Sequence, residues 1–191
     1  MSTILTVPNP VLRAQSKDVV IDKKVGNFLK DLEKTVIAAR NPRGVGLSAP
    51  QIGKNWNVFV TWMDEADPHK NPSKEDICFF INPKLTGNSG ETTYGPDKSD
   101  PILEGCLSIP KIYGPVPRFT WIDVSFLTLQ KGEFIQKEAR FNDFFARVIQ
   151  HEYDHLQGKL FTDYSIEHDL PVYEFEGKHW KKIDKTILKA Y

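Results

Sequence analysis

The sequence predicts an α+β fold in one domain spanning residues 1–191, and three observations carry that prediction. An amphipathic helix comes first, strand-like runs follow and a second helix comes late, without the regular strand–helix alternation that builds a parallel sheet. Two strand-like runs are joined by Lys131-Gly132, which reads as an antiparallel hairpin. The chain has 191 residues, of which 40% are hydrophobic and 26% charged, enough for one sizeable core and too apolar for a disordered chain.

The elements follow in order. Residues 22–40 place Val25, Phe28, Leu29, Leu32 and Val36 at helical spacing, and Asn41-Pro42-Arg43-Gly44 stops that helix with two breakers. Residues 56–63 and 77–82 are rich in aromatic and β-branched side chains and predict strands. Between and after them, 64–76 and 86–100 are polar and rich in Asn, Pro, Gly and Asp, so they read as long surface loops. Residues 121–130 and 133–140 form the hairpin. A helix over 142–157 follows, with Gly158 as its C-terminal stop. For the tail two readings stand: a helix over 177–191 with Lys178, Lys181, Lys182, Lys185 and Lys189 along one face, or strands 172–175 and 179–183 paired around Glu176-Gly177-Lys178. The balance favours strand for the first part and helix for the end.

Composition excludes several classes. Twenty-five basic and 25 acidic residues give zero net charge, which removes the simplest case for a general DNA binder. No apolar run approaches the ~18 residues of a membrane span. Residues 1–13 contain Pro8 and Pro10 and lack the pattern of a secretory signal. Two cysteines are too few for a disulfide framework, so the expected setting is the reducing cytoplasm.

Chemistry is concentrated in three segments. His151-Glu152-Tyr153-Asp154-His155 is an H-E-x-x-H pattern inside the late helix. Side chains four apart share a helix face, so both imidazoles can reach one metal ion while Glu152 handles the proton of a water beside it. A catalytic site wants a third protein ligand and an open position. The metzincin pattern would place a histidine at position 161, which is Phe161. Glu167 and His168 are distant alternatives, and Cys106 is the stronger candidate because thiolate suits zinc and iron(II). Cys106 lies in Glu104-Gly105-Cys106-Leu107-Ser108-Ile109-Pro110, where Gly105 permits close backbone approach and Pro110 limits further sheet pairing. Cys78, embedded in an apolar run, belongs to the core. Gly44-Val45-Gly46-Leu47-Ser48-Ala49-Pro50-Gln51 matches no phosphate-binding loop, and suits instead exposed backbone groups for a peptide-like substrate with Gln51 as a hydrogen-bond donor.

Taken in order, GVGLSAPQ, EGCLS and QHEYDHLQG resemble the three signature motifs of bacterial peptide deformylases, a likeness running from about residue 5 to 164. The resemblance implies mostly antiparallel sheets packed around a central metal-binding helix, and removal of the N-formyl group from the formylmethionine of nascent polypeptides. It also implies that Cys106, His151 and His155 hold one divalent metal, Fe(II) natively, with Zn, Ni or Co also accepted. Glu152 matches the acid/base, Gln51 and the Leu107 N–H the groups that polarise the formyl oxygen, and Gly46 a backbone contact to the peptide. Val45, Ile109 and Val148 are candidate walls for the methionine side chain, although Val148 serves equally well as core. An Arg at the position of Arg118 pairs in the family with the residue at Asp154, fixing the late helix against the segment after Cys106.

The chain departs from the family at Ser48, usually Ala, and at Tyr113, where some members carry an Arg. A metzincin-like protease and a non-catalytic zinc-binding module are the competing classes; the first lacks its third imidazole, and the second has no use for Glu152 and Gln51. Ribosome docking through the lysine-bearing tail is a further expectation, set against a solvated terminal segment.

Overall fold

The structure, a computed structural model, describes residues 1–64, 67, 70–97 and 99–191, with Lys189 described by its backbone alone. The first helix, α1 (Lys23–Ala38), begins where the Asp22 carboxylate accepts the Val25 N–H at 2.8 Å. Val25, Leu29, Leu32 and Val36 turn one stripe inward. There they meet Leu47, Val58, Val60 and Ile81 on one face of a five-stranded sheet.

That sheet contains β1 (Gly46–Ser48), β2 (Val58–Trp62) and β3 (Ile77–Asn88). Two short strands, β4 (Thr92–Thr93) and β5 (Leu103–Cys106), come next, followed by β6 (Ile109–Pro115) and β7 (Arg118–Phe119). The long hairpin β8 (Trp121–Gln130) and β9 (Glu133–Asn142) completes the large sheet, whose order is β1-β2-β3-β8-β9. Every ladder in it is antiparallel. In β8 the buried residues Ile122, Val124, Phe126 and Thr128 alternate with half-buried ones, the pattern of a strand with one dry face. In β2 all five residues are buried, because α1 covers one face and a second helix, α2 (Asp143–Leu156), covers the other. The Lys131-Gly132 turn has positive φ at both residues, 50° and 86°, as the twist of a two-residue hairpin loop requires.

A helix α3 (Phe161–Glu167) and a hairpin of β10 (Val172–Phe175) and β11 (Trp180–Ile183) follow α2. The hairpin adds to β5 and β6 in a second antiparallel sheet of order β11-β10-β6-β5, and β4 pairs with β7. The core under the second sheet contains Leu12, Ile109, Ile112, Leu160, Phe161 and Val172. Between the two sheets runs α2, packing Phe145, Ala146 and Ile149 against Phe59, Phe80 and Phe141. It ends at Gly158, whose φ is 71° and where a Cβ would lie 2.4 Å from the Arg13 carbonyl oxygen.

Three expectations need correction. The strand expected over 77–82 continues to Asn88, so the loop expected over 86–100 is shorter. Pro83 withholds a ladder donor, and the register shifts between Ile81 and Lys84 absorb that gap. Pro110 does not stop pairing; it sits inside β6, at the irregularity where Cys106 pairs with Ile109 but Gly105 pairs with Tyr113. The short helix α3 was not foreseen. The tail follows its favoured reading, a hairpin over 172–183 and then a six-residue 3-10 helix, Lys185–Ala190; the alternative, one helix over 177–191 with a continuous lysine stripe, is absent. Within the expected loop 64–76, Lys74–Asp76 forms a 3-10 turn, and positions 65, 66, 68 and 69 lie outside the described residues, as does position 98 of the second loop. Among the described residues no helix is long and apolar enough to cross a membrane.

Candidate metal centre and active site

Two separate parts of the chain converge on one point. Cys106 ends β5, while His151 and His155 stand one turn apart on α2, and one ligand atom from each lies within 4.8 Å of the others. The Cys106 sulfur is 3.2 Å from Nε2 of His155. Asp154 points away from this cluster, and Glu167 and His168 are not part of it: Glu167 pairs with Lys159 at 3.0 Å and His168 stacks on Tyr164. Position 161, where a metzincin would have histidine, is Phe161, 1% exposed in the core.

The donor set fits a divalent cation. Burial and the neighbouring His151 hold the His155 imidazole well below its usual pKa, so it is neutral, the form that can bind a cation. His151 goes the other way: burial opposes its charged form, but hydrogen bonds to Cys106 and Glu104 raise it well above the usual value. A thiol and two imidazoles facing one point are the donors that zinc and iron(II) accept.

Around the ligands lies a network that sequence reasoning missed. Glu104 is 8% exposed and accepts from four groups: Arg118 Nε at 3.0 Å and Nη2 at 2.9 Å, Arg147 Nη1 at 2.9 Å, and His151 Nδ1 at 3.1 Å. Burial alone would raise its carboxyl, but Arg118 and His151 hold it well below the carboxylate range. The Nδ1 bond fixes the ring of His151 and leaves Nε2 free to face the cluster. Arg118 also donates to Asp154 at 2.5 Å, the pairing implied by the resemblance, and so ties β7 to α2. Arg147 completes the knot by donating to the carbonyls of Val116 at 2.8 Å and Thr93 at 2.9 Å. The available signal was a carboxylate two residues before a ligand, on the same face of an extended segment.

Glu152 is 4% exposed, and its Oε2 has no hydrogen-bond partner among the described residues. Burial pushes its carboxyl up to about 7, against the opposing pull of His151 and Arg118. Gly46 makes room for it: a Cβ there would lie 2.5 Å from Glu152 Oε1. Gln51 is held by its oxygen, which accepts the Ser48 N–H at 2.8 Å and the Ser48 hydroxyl at 3.0 Å. Its Nε2 therefore points toward the cluster, 3.5 Å from the Cys106 sulfur and 3.2 Å from Ser108 Oγ. Ser48, a departure from the family pattern, thus supplies a second hydrogen bond that orients the amide.

These groups open into a cleft of about 720 Å³ lined by Val45, Gly46, Gln51, Leu107, Val148 and Glu152, among others. Val148 serves both roles foreseen for it, as cleft wall and as a member of the α2 core. Ile109 is a correction: it does not line the cleft, because its strand turns it into the core with Leu12 and Ile112, 1% exposed.

Comparison with known proteins gives one answer. The polypeptide deformylase family model matches residues 1–169. The peptide deformylase of Pseudothermotoga lettingae is 38% identical over 156 residues, covering 81% of this chain and 77% of that relative. Among solved structures, a peptide deformylase from Legionella pneumophila superimposes with a TM-score of 0.69 at 30% identity, covering 86% of this chain and 85% of its own. A probable peptide deformylase from Synechococcus phage S-SSM7 gives 0.68 at 35% identity, covering 86% and 99%. The chain belongs to the polypeptide deformylase family, metal-dependent hydrolases that remove the N-formyl group from the N-terminal methionine of nascent polypeptides.

Proposed function

We propose that deformylation by this chain uses Cys106, His151 and His155 to hold one divalent cation, Fe(II) natively, with Zn, Ni or Co able to replace it. The observation that carries this reading is the meeting of three ligand atoms within 4.8 Å, at the floor of a cleft that Cys106, His151, Gln51 and Glu152 line. When bound, the cation supplies Lewis acidity, bringing the pKa of water toward neutrality and polarising the formyl carbonyl. Glu152 takes the proton from the attacking water and later delivers it to the departing amine nitrogen. With a carboxyl pushed to about 7, it can do both near neutral pH. The Gln51 amide and the Leu107 N–H donate to the formyl oxygen as it gains charge, and Gln51 does not reorganise because Ser48 already fixes it. The Gly46 backbone holds the peptide, and Val45 and Val148 pack on the methionine side chain.

The reaction belongs in the cytoplasm, where nascent chains emerge. A ribosome contact would rest on Lys178, Lys181 and Lys182 of the β10–β11 hairpin; of these, Lys181 is already 3.7 Å from Glu176. Co-sedimentation with ribosomes at low and moderate salt should fall when these three are changed to Glu; equal binding by variant and parent excludes the hairpin as the contact. The direct test of the reaction is formate release from formyl-Met peptides by protein loaded with Fe(II) under exclusion of air. Steady release that Cys106→Ala abolishes is expected, and release that survives this change removes Cys106 from the ligand set.

A further inference from the structure

The two larger sheets leave four edges, β1 and β9 on one, β5 and β11 on the other. Strand β1 has three residues and β5 and β11 have four each, and residues of β1 and β5 line the cleft. Strand β9 is different. Glu133–Asn142 is ten residues long, pairs with β8 in unbroken register, and contains no proline. An edge of that length and regularity is an open template for another strand.

The turn at Lys131-Gly132 decides which backbone groups face outward. Gln130 and Glu133 close it and exchange both their bonds, and the pattern then alternates along the ladder. The N–H and C=O groups of Phe134, Gln136, Glu138, Arg140 and Asn142 therefore point away from β8. Among the described residues no strand pairs with them.

Charge selects one way of filling this edge. Let a second copy pair antiparallel across a two-fold axis between the two Ala139 residues. Glu138 then stands opposite Arg140 of its partner, Arg140 opposite the partner's Glu138, and Gln136 opposite the partner's Asn142. All four have outward-facing bonding groups, so each such pair exchanges two backbone hydrogen bonds. A slide of two residues one way sets Glu138 against Glu138, and the other way Arg140 against Arg140, and like charges directly opposite are destabilising. Arg140 binds Asp123 at 2.8 Å through Nε and Nη2, which leaves Nη1 for a second carboxylate. Glu138 meets a neutral hydroxyl, that of Thr86 at 3.4 Å.

We propose that β9 is the interface of a homodimer, in which two copies join their large sheets edge to edge through residues 136–142, in the register that pairs Glu138 with Arg140. The small Ala139 side chain permits the close approach on the axis, where the pair is not hydrogen-bonded. No residue of β9 lines the cleft, and β1, which does, is the opposite edge of that sheet, so both clefts stay open.

Sedimentation equilibrium over a range of protein concentrations tests the interface. The parent should approach twice the chain mass as concentration rises. Glu138→Arg and Arg140→Glu should each raise the dimer dissociation constant at least about 10-fold, since each turns both ion pairs into like-charge pairs. An equal mixture of these two variants should return to twice the chain mass, because each complements the other. Gln136→Pro should leave monomer: its N–H faces outward, so the β8 ladder survives while the new one loses a donor. It reads the edge even where a charge variant fails to fold, which the thermal midpoint reports. A parent that stays monomeric at every soluble concentration overturns the proposal and leaves the edge to a strand of another protein. A dimer that all three variants leave intact overturns it too, placing the contact on another face. So does a mixture of the folded charge variants that stays monomeric.

Discussion

Glu152 and Gln51 owe their positions to neighbours that carry no chemistry of their own. Gly46 leaves the space that the Glu152 carboxyl fills, and Ser48 turns the Gln51 amide by binding its oxygen twice. Glu152→Gln keeps size and shape but removes the proton acceptor, so kcat should fall at least 10²-fold while the protein still binds one equivalent of metal. Near-parental turnover in the purified variant would remove Glu152 as the base. Gln51→Leu deletes a donor to developing charge, so its cost should appear in kcat, about 10²-fold, with KM nearly unchanged. A change confined to KM would make Gln51 a binding group instead. That His151, Glu152 and His155 share one end of α2 was legible because the motif spacing itself states a geometry, four residues being about one helical turn, while Cys106 was reached only through the chemistry of thiolate and the family resemblance. Glu104 was not, since its partners Arg118, Arg147 and His151 lie 14, 43 and 47 residues away and nothing local brings them together.

Between elements, Arg118 joins most. At 2% exposed, it binds Glu104 with two nitrogens and Asp154 with a third, clamping β7, β5 and α2. Arg118→Ala would leave Glu104 buried with only Arg147 and His151 to answer its charge. Breaking one side of such a pair costs about 3–5 kcal/mol. The thermal midpoint should then drop by on the order of 10 °C, read by calorimetry, and activity should fall only through the loosened helix. An unchanged midpoint would show that Arg147 alone compensates. The elements best anticipated from sequence, α1, α2 and the β8–β9 hairpin, are those whose signals are local and repeated over ten residues or more: caps, a helical stripe, strict alternation, a Lys-Gly turn. The elements missed include β4, β7 and α3, with two, two and seven residues, too few for any period to show, and they form because tertiary partners hold them. In the tail only the alternative single helix fails. Its lysine spacing imitates a helix face, but β10 finds an open edge on β6 and the sheet takes it.

At the scale of the whole molecule, the proposed ligands bridge its two layers. Cys106 belongs to the sheet that includes the C-terminal hairpin, while His151 and His155 belong to the helix packed on the large sheet. A cation held by all three therefore ties those layers together in the folded state and loses that geometry on unfolding. Binding that favours the folded state stabilises it by about 2.7 kcal/mol at 100 times the dissociation constant and about 4.1 kcal/mol at 1,000 times. For a chain of this size each kcal/mol moves the thermal midpoint by about 2–4 °C, so stripping the metal with a chelator should lower it by roughly 5–16 °C. Glu152→Gln should show the same shift, because its ligands are intact. Cys106→Ala should show little or none, because the bridge has lost one side. If chelation lowers the midpoint of Cys106→Ala as much as that of the parent, the cation that stabilises the fold is bound elsewhere, and the link between the metal and the two layers fails.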